Sequence, residues 1–278
     1  MKPAVFAWVM ILVLVWPWAT RAAEPADFEY PLHISIPLTT LGLSVWIAGE
    51  VFKKDLVPEQ GRWTQTNPLD DAVRSALVWN YSHRDDANMA SNIVLGSIPL
   101  AGLGALLFTD RDGWSAPTSS RTKQVGLGVL IMLESASVAM LANQIVKFVA
   151  LRERPYTRSG PYPENDPDSR LSFYSGHTTT AFALAVSGAT LYDMRGGRYP
   201  GVVWGVALAL AAGVGYLRIG ADKHYFTDVL VGALVGAAAG YLVPKLFHQK
   251  DGDEGGTQYT LMAQPAADTW ILGITFVM

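Results

Sequence analysis

Three short polar clusters between residues 147 and 228 hold residue types that bind and act on negatively charged oxygens. Each cluster stands at the end of an apolar segment. Their members, in chain order, are Lys147 and Arg154, then Ser175, Gly176 and His177, then Arg218, His224 and Asp228. Because the oxygens of a phosphoryl group in transfer carry charge, catalysis needs fixed cations and hydrogen-bond donors around them. Together the clusters predict an oxyanion site.

The cations and the glycine suit the binding half of this chemistry. Arg154 and Arg218 offer planar forks for bidentate phosphate contacts, and Lys147 adds a point charge. Ser175 and Gly176 precede an apolar run that is typical of a helix. Backbone N–H groups at a helix start bind anions, and a glycine lets the backbone come close to the ligand.

The histidines suit the reactive half. His224 and Asp228 are four residues apart, so they share one face if this stretch is helical. An acid that holds one ring nitrogen fixes the tautomer and leaves the other nitrogen free to attack. His177 is then available as a general acid.

These clusters resemble the signature motifs of the type 2 phosphatidic acid phosphatase superfamily, which includes bacterial non-specific acid phosphatases and vanadium haloperoxidases. The first motif, Lys147 to Arg154-Pro155, matches in full, and so do Ser-Gly-His of the second and Arg, His and Asp of the third. Tyr174 stands where proline is usual, and Leu217 replaces the usual serine. Neither departure removes a catalytic group, although loss of the serine hydroxyl would loosen one phosphate contact.

The resemblance implies a role for each matching residue. His224 would be the nucleophile that forms a phosphohistidine, Asp228 would orient it, and His177 would protonate the leaving group. The phosphate would be held by Lys147, Arg154, Arg218 and the amides near Ser175 and Gly176. The family needs no metal or other cofactor for hydrolysis, and the sequence has no cysteine and no clustered acids with metal-ligand spacing.

Composition and the first residues of the chain bear on its partners and its destination. Half of the residues are hydrophobic, 16% are charged and the net charge is -3, which does not suggest a nucleic-acid partner. Lys2, an apolar run over residues 3–19 and small residues up to Ala23 predict a signal peptide over residues 1–23. The absence of cysteine means that the fold does not depend on disulfides.

The expected fold is all-α: a multi-pass helical bundle of the type 2 phosphatidic acid phosphatase kind. We divide the rest of the chain into an N-terminal helical region (24–91), a phosphatase core (92–250) and a linker with a short β-hairpin (251–278). Four core helices after Gln124 would bring the motifs together, and the loop over residues 156–170 would form the rim of the site. Gly232, Gly236 and Gly240 recur every four residues, which predicts a smooth face for close helix packing.

Several isolated polar residues also carry expectations. Glu134 lies deep in an apolar segment, so it should face a partner or a cavity. Asp222 and Lys223 read as solvated loop charges, and residues 83–86 as a solvated turn. The remaining histidines, His33, His83 and His248, read as structural or surface residues.

Charge patterning predicts an orientation. If the core helices cross a bacterial inner membrane alternately, the basic loops face the cytoplasm and all three motifs face the periplasm. This requires that residues 31–52 do not cross. The rival interpretation is a soluble periplasmic protein, which the mean hydropathy of only +0.21 favours.

The predicted activity is metal-independent hydrolysis of a phosphate monoester or diphosphate through a phosphohistidine. An apolar setting favours a lipid substrate such as phosphatidic acid, a phosphatidylglycerol phosphate, an isoprenoid diphosphate or a lipid A phosphate. Three alternatives stay open: a soluble acid phosphatase acting on small esters, a vanadium haloperoxidase and a non-catalytic envelope scaffold.

Overall fold

The structure is a computed structural model that describes residues 30–109, 118–159, 162, 166–248, 258–266 and 269–277. The predicted signal peptide lies outside these residues. The helices are α1 (Leu32–Leu56), α2 (Pro68–Leu77), α3 (Arg84–Leu107), α4 (Thr118–Ala150), α5 (Gly176–Met194), α6 (Pro200–Gly220) and α7 (Phe226–Phe247). Single 3-10 turns lie at Tyr81–His83, Pro155–Arg158 and Pro167–Arg170. The all-α prediction is confirmed.

The backbone near the end of the chain forms two strands, β1 (Gln258–Ala266) and β2 (Thr269–Val277), which pair antiparallel. A two-stranded hairpin by itself is marginal in water. A stable C-terminal hairpin therefore stays a prediction.

Local sequence explains where most helices begin. Proline occupies the first position of α2 and of α6, where its missing N–H costs nothing. The interpretation of residues 83–86 as a turn is wrong, because α3 already begins at Arg84. Asp85 and Asp86 lie in its first turn, where negative charge complements the helix dipole. The predicted boundary between residues 91 and 92 therefore falls inside α3.

Helix α5 is the central element of the bundle. It packs against α3, α4, α6 and α7, and 16 of its 19 residues are buried. A helix covered on every side needs no polar face, which explains why α5 has no amphipathic stripe. The other helices shield it from the surroundings.

Small residues allow α7 to lie directly on α5. A Cβ added at Gly232 would stand 2.8 Å from the Ser175 carbonyl oxygen, and one at Gly236 would stand 2.3 Å from that of Thr179. At Gly240 the same atom would meet the Ala183 carbonyl oxygen at 2.6 Å. The predicted glycine face is confirmed, and it fixes the start of α7 against the start of α5.

Five of the helices, α1, α3, α4, α6 and α7, are long and apolar enough to cross a membrane. Much of their surface is exposed and apolar, with examples at Val51, Ile93, Leu100, Val202 and Leu234. Water penalises such a surface, whereas lipid tails do not. The chain is therefore a membrane protein, and the soluble alternative loses its support.

Helix α1 runs beside α4 in the same direction. Gly42 approaches Ser137, and seven residues later Gly49 approaches Gln144. The end of α1 consequently reaches the end of α4, where the first motif lies. The orientation argument required residues 31–52 to stay out of the membrane, and this requirement loses its support because α1 has the length and hydropathy of a span.

Candidate active site

The three clusters come together at one end of the bundle. The first follows α4, the second begins α5, and the third joins the end of α6 to the start of α7. One cavity of about 730 Å³ opens there. The predicted site residues that line it are Lys147, Arg154, Gly176, His177, Arg218 and His224. Ser175 and Asp228 are buried behind this wall.

Three buried cations face this cavity. Lys147 and Arg154 are each 8% exposed and Arg218 is 3% exposed, yet none forms a salt bridge with an acid in the described part of the chain. The Arg218 guanidinium donates instead to neutral groups, the Asn88 Oδ1 at 2.6 Å and the Ser91 Oγ at 3.2 Å. Buried charges are normally paired, so this cluster calls for an anionic ligand.

His224 is held with one ring nitrogen bound and the other free. Its Nδ1 lies 2.8 Å from the Ser172 carbonyl oxygen, which can only accept, so Nδ1 carries the proton. Nε2 is then the unprotonated nitrogen. Burial lowers the pKa of His224 well below its usual range, and Arg154 and Arg218 push it in the same direction. The ring is therefore neutral, as a nucleophile must be.

Asp228 acts on His224 at one remove. Its Oδ2 lies 3.7 Å from His224 Nδ1, which is too long for a hydrogen bond. The same oxygen accepts from the Ser172 hydroxyl at 2.6 Å and from the Tyr225 N–H at 2.9 Å. The expectation that Asp228 binds the imidazole directly is therefore corrected. Asp228 holds Ser172, and the carbonyl oxygen of Ser172 binds the His224 ring.

Helix α3 supplies a partner for the second histidine. The Nε2 of His177 lies 2.8 Å from Asn92 Oδ1. Asn88 and Asn92 are one helical turn apart and hold Arg218 and His177 respectively. Neither asparagine lies in a motif, and the only sequence signal for them is amide side chains at a spacing of four at the start of an apolar helix.

The second motif divides its tasks differently from the expectation. The Ser175 N–H donates to the Asp228 carbonyl oxygen at 3.1 Å, and the Ser175 hydroxyl caps α5 by accepting from the Thr178 N–H at 3.4 Å. Ser175 therefore stabilises the helix start rather than reaching into the cavity. The Gly176 Cα lies so close to Lys147 that an added Cβ would stand 3.3 Å from its ammonium. The amides of Gly176 and His177, which have no partner inside the helix, remain for the ligand.

Arg152, inside the spacer of the first motif, is a residue that the sequence did not single out. It donates to Asp228 Oδ1 at 2.6 Å and to Asp70 Oδ2 at 2.7 Å, and it is 1% exposed. Its guanidinium lies between the rings of Trp63 and Tyr225, at 4.2 and 4.3 Å from their centroids. One cation thus joins the N-terminal region, the end of α4 and the start of α7.

The interpretation of Asp222 and Lys223 as solvated loop charges is wrong. Asp222 is fully buried and binds Arg74 at 2.6 Å and Arg84 at 2.8 Å. Lys223 lines the cavity and lies 4.7 Å from the centroid of the Tyr156 ring. Burial lowers the pKa of Lys223, and Arg154 and Arg218 lower it further.

The loop after the first motif forms part of the rim, as predicted. Asp166 and Asp168 line the cavity, and Lys53 at the end of α1 binds both Asp168 and Glu50 at 2.9 Å. Burial alone would raise the pKa of Asp168, but Arg154 and Lys53 outweigh it and hold this pKa below its usual value. Helix α1 is thereby tied to the rim.

Residues with metal-ligand chemistry do not gather at this site. Among the described residues, no three His, Asp or Glu side chains are placed to share an ion. The predicted absence of a cofactor remains a prediction, since the chemistry of hydrolysis is not visible in the fold.

The fold and the site together describe a helical membrane bundle with a cavity lined by cations and two histidines. Residues 128–251 match the sequence model of the PAP2 superfamily. It is 28% identical over 200 residues to phospholipid phosphatase 2 of Mus musculus, a match that covers 60% of this chain and 70% of that protein. The Bos taurus phospholipid phosphatase 2 is also 28% identical, with 67% of it covered.

Among solved structures, the chain is similar to the first transmembrane PAP2 type phosphatidylglycerolphosphate phosphatase from Bacillus subtilis. The TM-score is 0.47 and the sequence identity 21%, over 76% of this chain and 94% of that one.

Replacing Arg152 with methionine should destabilise the protein strongly. The change leaves Asp70 and Asp228 buried without their cation, and breaking a buried ion pair in this way costs about 3–5 kcal/mol. The midpoint of thermal unfolding in detergent should fall accordingly. Arg62→Met is the matched control, because Arg62 is exposed and a surface change of this kind stays within about 0.5 kcal/mol. Equal midpoints for the two variants would show that the network is dispensable.

Proposed function

We propose that this chain hydrolyses a phosphate monoester or diphosphate of a lipid, without a metal, through a phosphohistidine on His224. The observation that carries the proposal is the arrangement in the cavity. Three buried cations that form no salt bridge within the described ranges line the same cavity as a neutral histidine whose Nε2 is unprotonated. The chain is a phosphoric ester hydrolase, as are its phospholipid phosphatase relatives.

The geometry supports a two-step reaction. His224 Nε2 attacks phosphorus, the bond to the ester oxygen breaks, and His177 gives that oxygen a proton. Water then attacks the phosphohistidine, His177 takes the proton of the water, and the P–N bond breaks to release phosphate and free His224. Lys147, Arg154 and Arg218 stabilise the charge that builds on the phosphoryl oxygens in both steps.

The setting of the site favours a lipid substrate. The cavity opens among helices whose outer faces are apolar, so a phosphate on a lipid can reach the cations while its chains stay among apolar side chains. The relatives are phospholipid phosphatases by name. A phosphorylated lipid is therefore the substrate class that we propose, with a small water-soluble phosphate ester as the substrate to test against it.

Purified protein should release phosphate from phosphorylated lipids in the presence of a chelator, and His224→Ala should abolish this release because the nucleophile is gone. A panel of lipid phosphates would be compared with a water-soluble monoester, and acid-stable and acid-labile protein phosphate would be measured after rapid quenching. An acid-labile adduct that forms in the wild type and not in His224→Ala supports the phosphohistidine. Faster turnover of the soluble ester would favour an acid phosphatase, and normal activity in His224→Ala would refute the assignment.

The pH profile should report the lowered pKa of His224. The nucleophile must be neutral, so the acid limb of kcat/KM appears where the pH drops through the pKa of His224, and this limb should lie below the ordinary histidine value of about 6.5. Arg154→Gln removes one cation that lowers the pKa, so its acid limb should move to higher pH even though overall activity drops. Lys54→Gln, at an exposed position, is the control and should leave the limb in place. The ionisation of the substrate contributes equally to the profiles of the wild type and both variants. An acid limb that stays at the same pH in Arg154→Gln would contradict the role given to His224.

We further propose that the protein lies in a bacterial inner membrane with the site facing the periplasm. Basic residues that flank the spans at the opposite end support this orientation, among them Arg195, Arg198 and Lys245. Because α1 runs the same way as α4, the residue before α1 would then lie on the cytoplasmic side. A cleaved signal peptide would instead start α1 from the periplasm and turn the site inward.

Single cysteines can decide between these orientations, since the chain has none of its own. Gln60 is exposed at the site end and Tyr199 is exposed at the opposite end. In spheroplasts, a membrane-impermeant maleimide should label Gln60→Cys, whereas Tyr199→Cys should react only after permeabilisation. The reverse pattern would place the site in the cytoplasm and favour the signal peptide.

A further inference from the structure

The active-site cavity continues away from the cations as an apolar groove. It runs between α1 and α4, with α5 behind it. The side chains that line this part are mostly apolar and include Leu43, Trp46, Leu130, Leu133, Met140 and Leu184. Leu130 and Leu133 are also 44% and 48% exposed, so the groove is open along the outer surface of the bundle. An apolar chain could enter it sideways from the lipid.

The far end of the groove is polar. Tyr30 and Thr39 line it there. Behind them the His248 Nε2 lies 3.0 Å from Glu134 Oε2, and both side chains are fully buried. The His248 ring stacks on that of Tyr30, with 5.2 Å between centroids. Glu134 thus has the buried partner that its depth predicted.

The distance from the cations to this polar end matches one leaflet of a bilayer. Lys147 and Glu134 are 13 residues apart on α4, which corresponds to about 20 Å at 1.5 Å per residue. Half of the hydrocarbon core together with one interfacial region is also roughly 20 Å thick. A lipid whose phosphate lies among the cations would end its chain near Tyr30.

We propose that the polar end formed by Tyr30, Thr39, Glu134 and His248 sets the longest chain that the enzyme accepts on its phosphorylated lipid. The proposal rests on the proposed function. A chain that moves from lipid into the apolar part of the groove exchanges one apolar environment for another, at little cost. A longer chain must push aside the Tyr30 ring, which stacks on His248, and so disturb the buried His248–Glu134 hydrogen bond. A buried polar group that loses its partner is costly.

The measurement is kcat/KM for lipid phosphates that share a headgroup and differ only in the length of their saturated chains. They are presented at a fixed mole fraction in detergent micelles, and each value is divided by that for a water-soluble monoester on the same protein. The ratio should be level up to the length that fills the groove. Beyond it the ratio should fall by about tenfold, the factor that corresponds to one broken buried hydrogen bond.

A larger side chain at the end of the groove should shorten the accepted chain. In Thr39→Trp the fall should begin at a shorter length than in the wild type. Ile36→Trp is the matched control, because Ile36 lies three residues earlier on the same helix, does not line the groove and is 53% exposed. Its profile should be that of the wild type, and an identical shift in both variants would overturn the proposal.

Removing the polar pair should have the opposite effect. Replacing both partners with apolar groups is far less costly than removing one, so Glu134→Leu/His248→Leu is the variant of choice. The fall for long chains should disappear in it. A fall that still starts at the wild-type length in this variant would overturn the inference while leaving the phosphatase intact. Absence of turnover for every ester, including the soluble one, would instead refute the proposed function.

Discussion

Mutual repulsion among Lys147, Arg154 and Arg218 is the constraint on which the rest of the structure depends. Buried like charges lower one another's stability unless something holds them in place. The backbone N–H of Arg154 donates to the Ser169 carbonyl oxygen at 2.7 Å, and the Arg218 guanidinium is fixed by Asn88. An anion that binds only the folded state would stabilise that state by mass action and so offset the free energy lost by burying like charges. Under the proposed function, the phosphate group of the substrate would offset the cost of burying these three cations.

Arg152 and Arg154 are two residues apart in the chain, yet their guanidinium groups have opposite environments. Arg152 has two carboxylate partners and two aromatic rings, so its charge is satisfied inside the protein. Arg154 has no acid partner among the described residues and faces the cavity. The paired arginine holds Asp228, which holds Ser172, which holds His224. In the function that we propose, Arg154 binds the substrate.

Helix α5 connects the two ends of the molecule. Its first residues present amides and His177 to the cavity, and its remaining length forms the wall against which α7 and the groove are built. Glycine on α7 keeps that contact at backbone distance. Because the phosphate site and the polar end of the groove are attached to the same rigid helices, the distance between them is set by the fold and not by a mobile loop.

The sequence by itself determined the helices, the glycine face of α7 and the three clusters that meet at the cavity, because periodicity and motif spacing are local properties of the chain. It also required a partner for Glu134, but could not say that the partner is His248, 114 residues away. Only the tertiary structure decided that Asp222 is buried, that Arg152 and Asn92 support the histidines and that α1 lies along α4. Each of these depends on contacts between distant segments, whose geometry no local pattern records. A charged residue in a loop looks the same in sequence whether water or an arginine surrounds it.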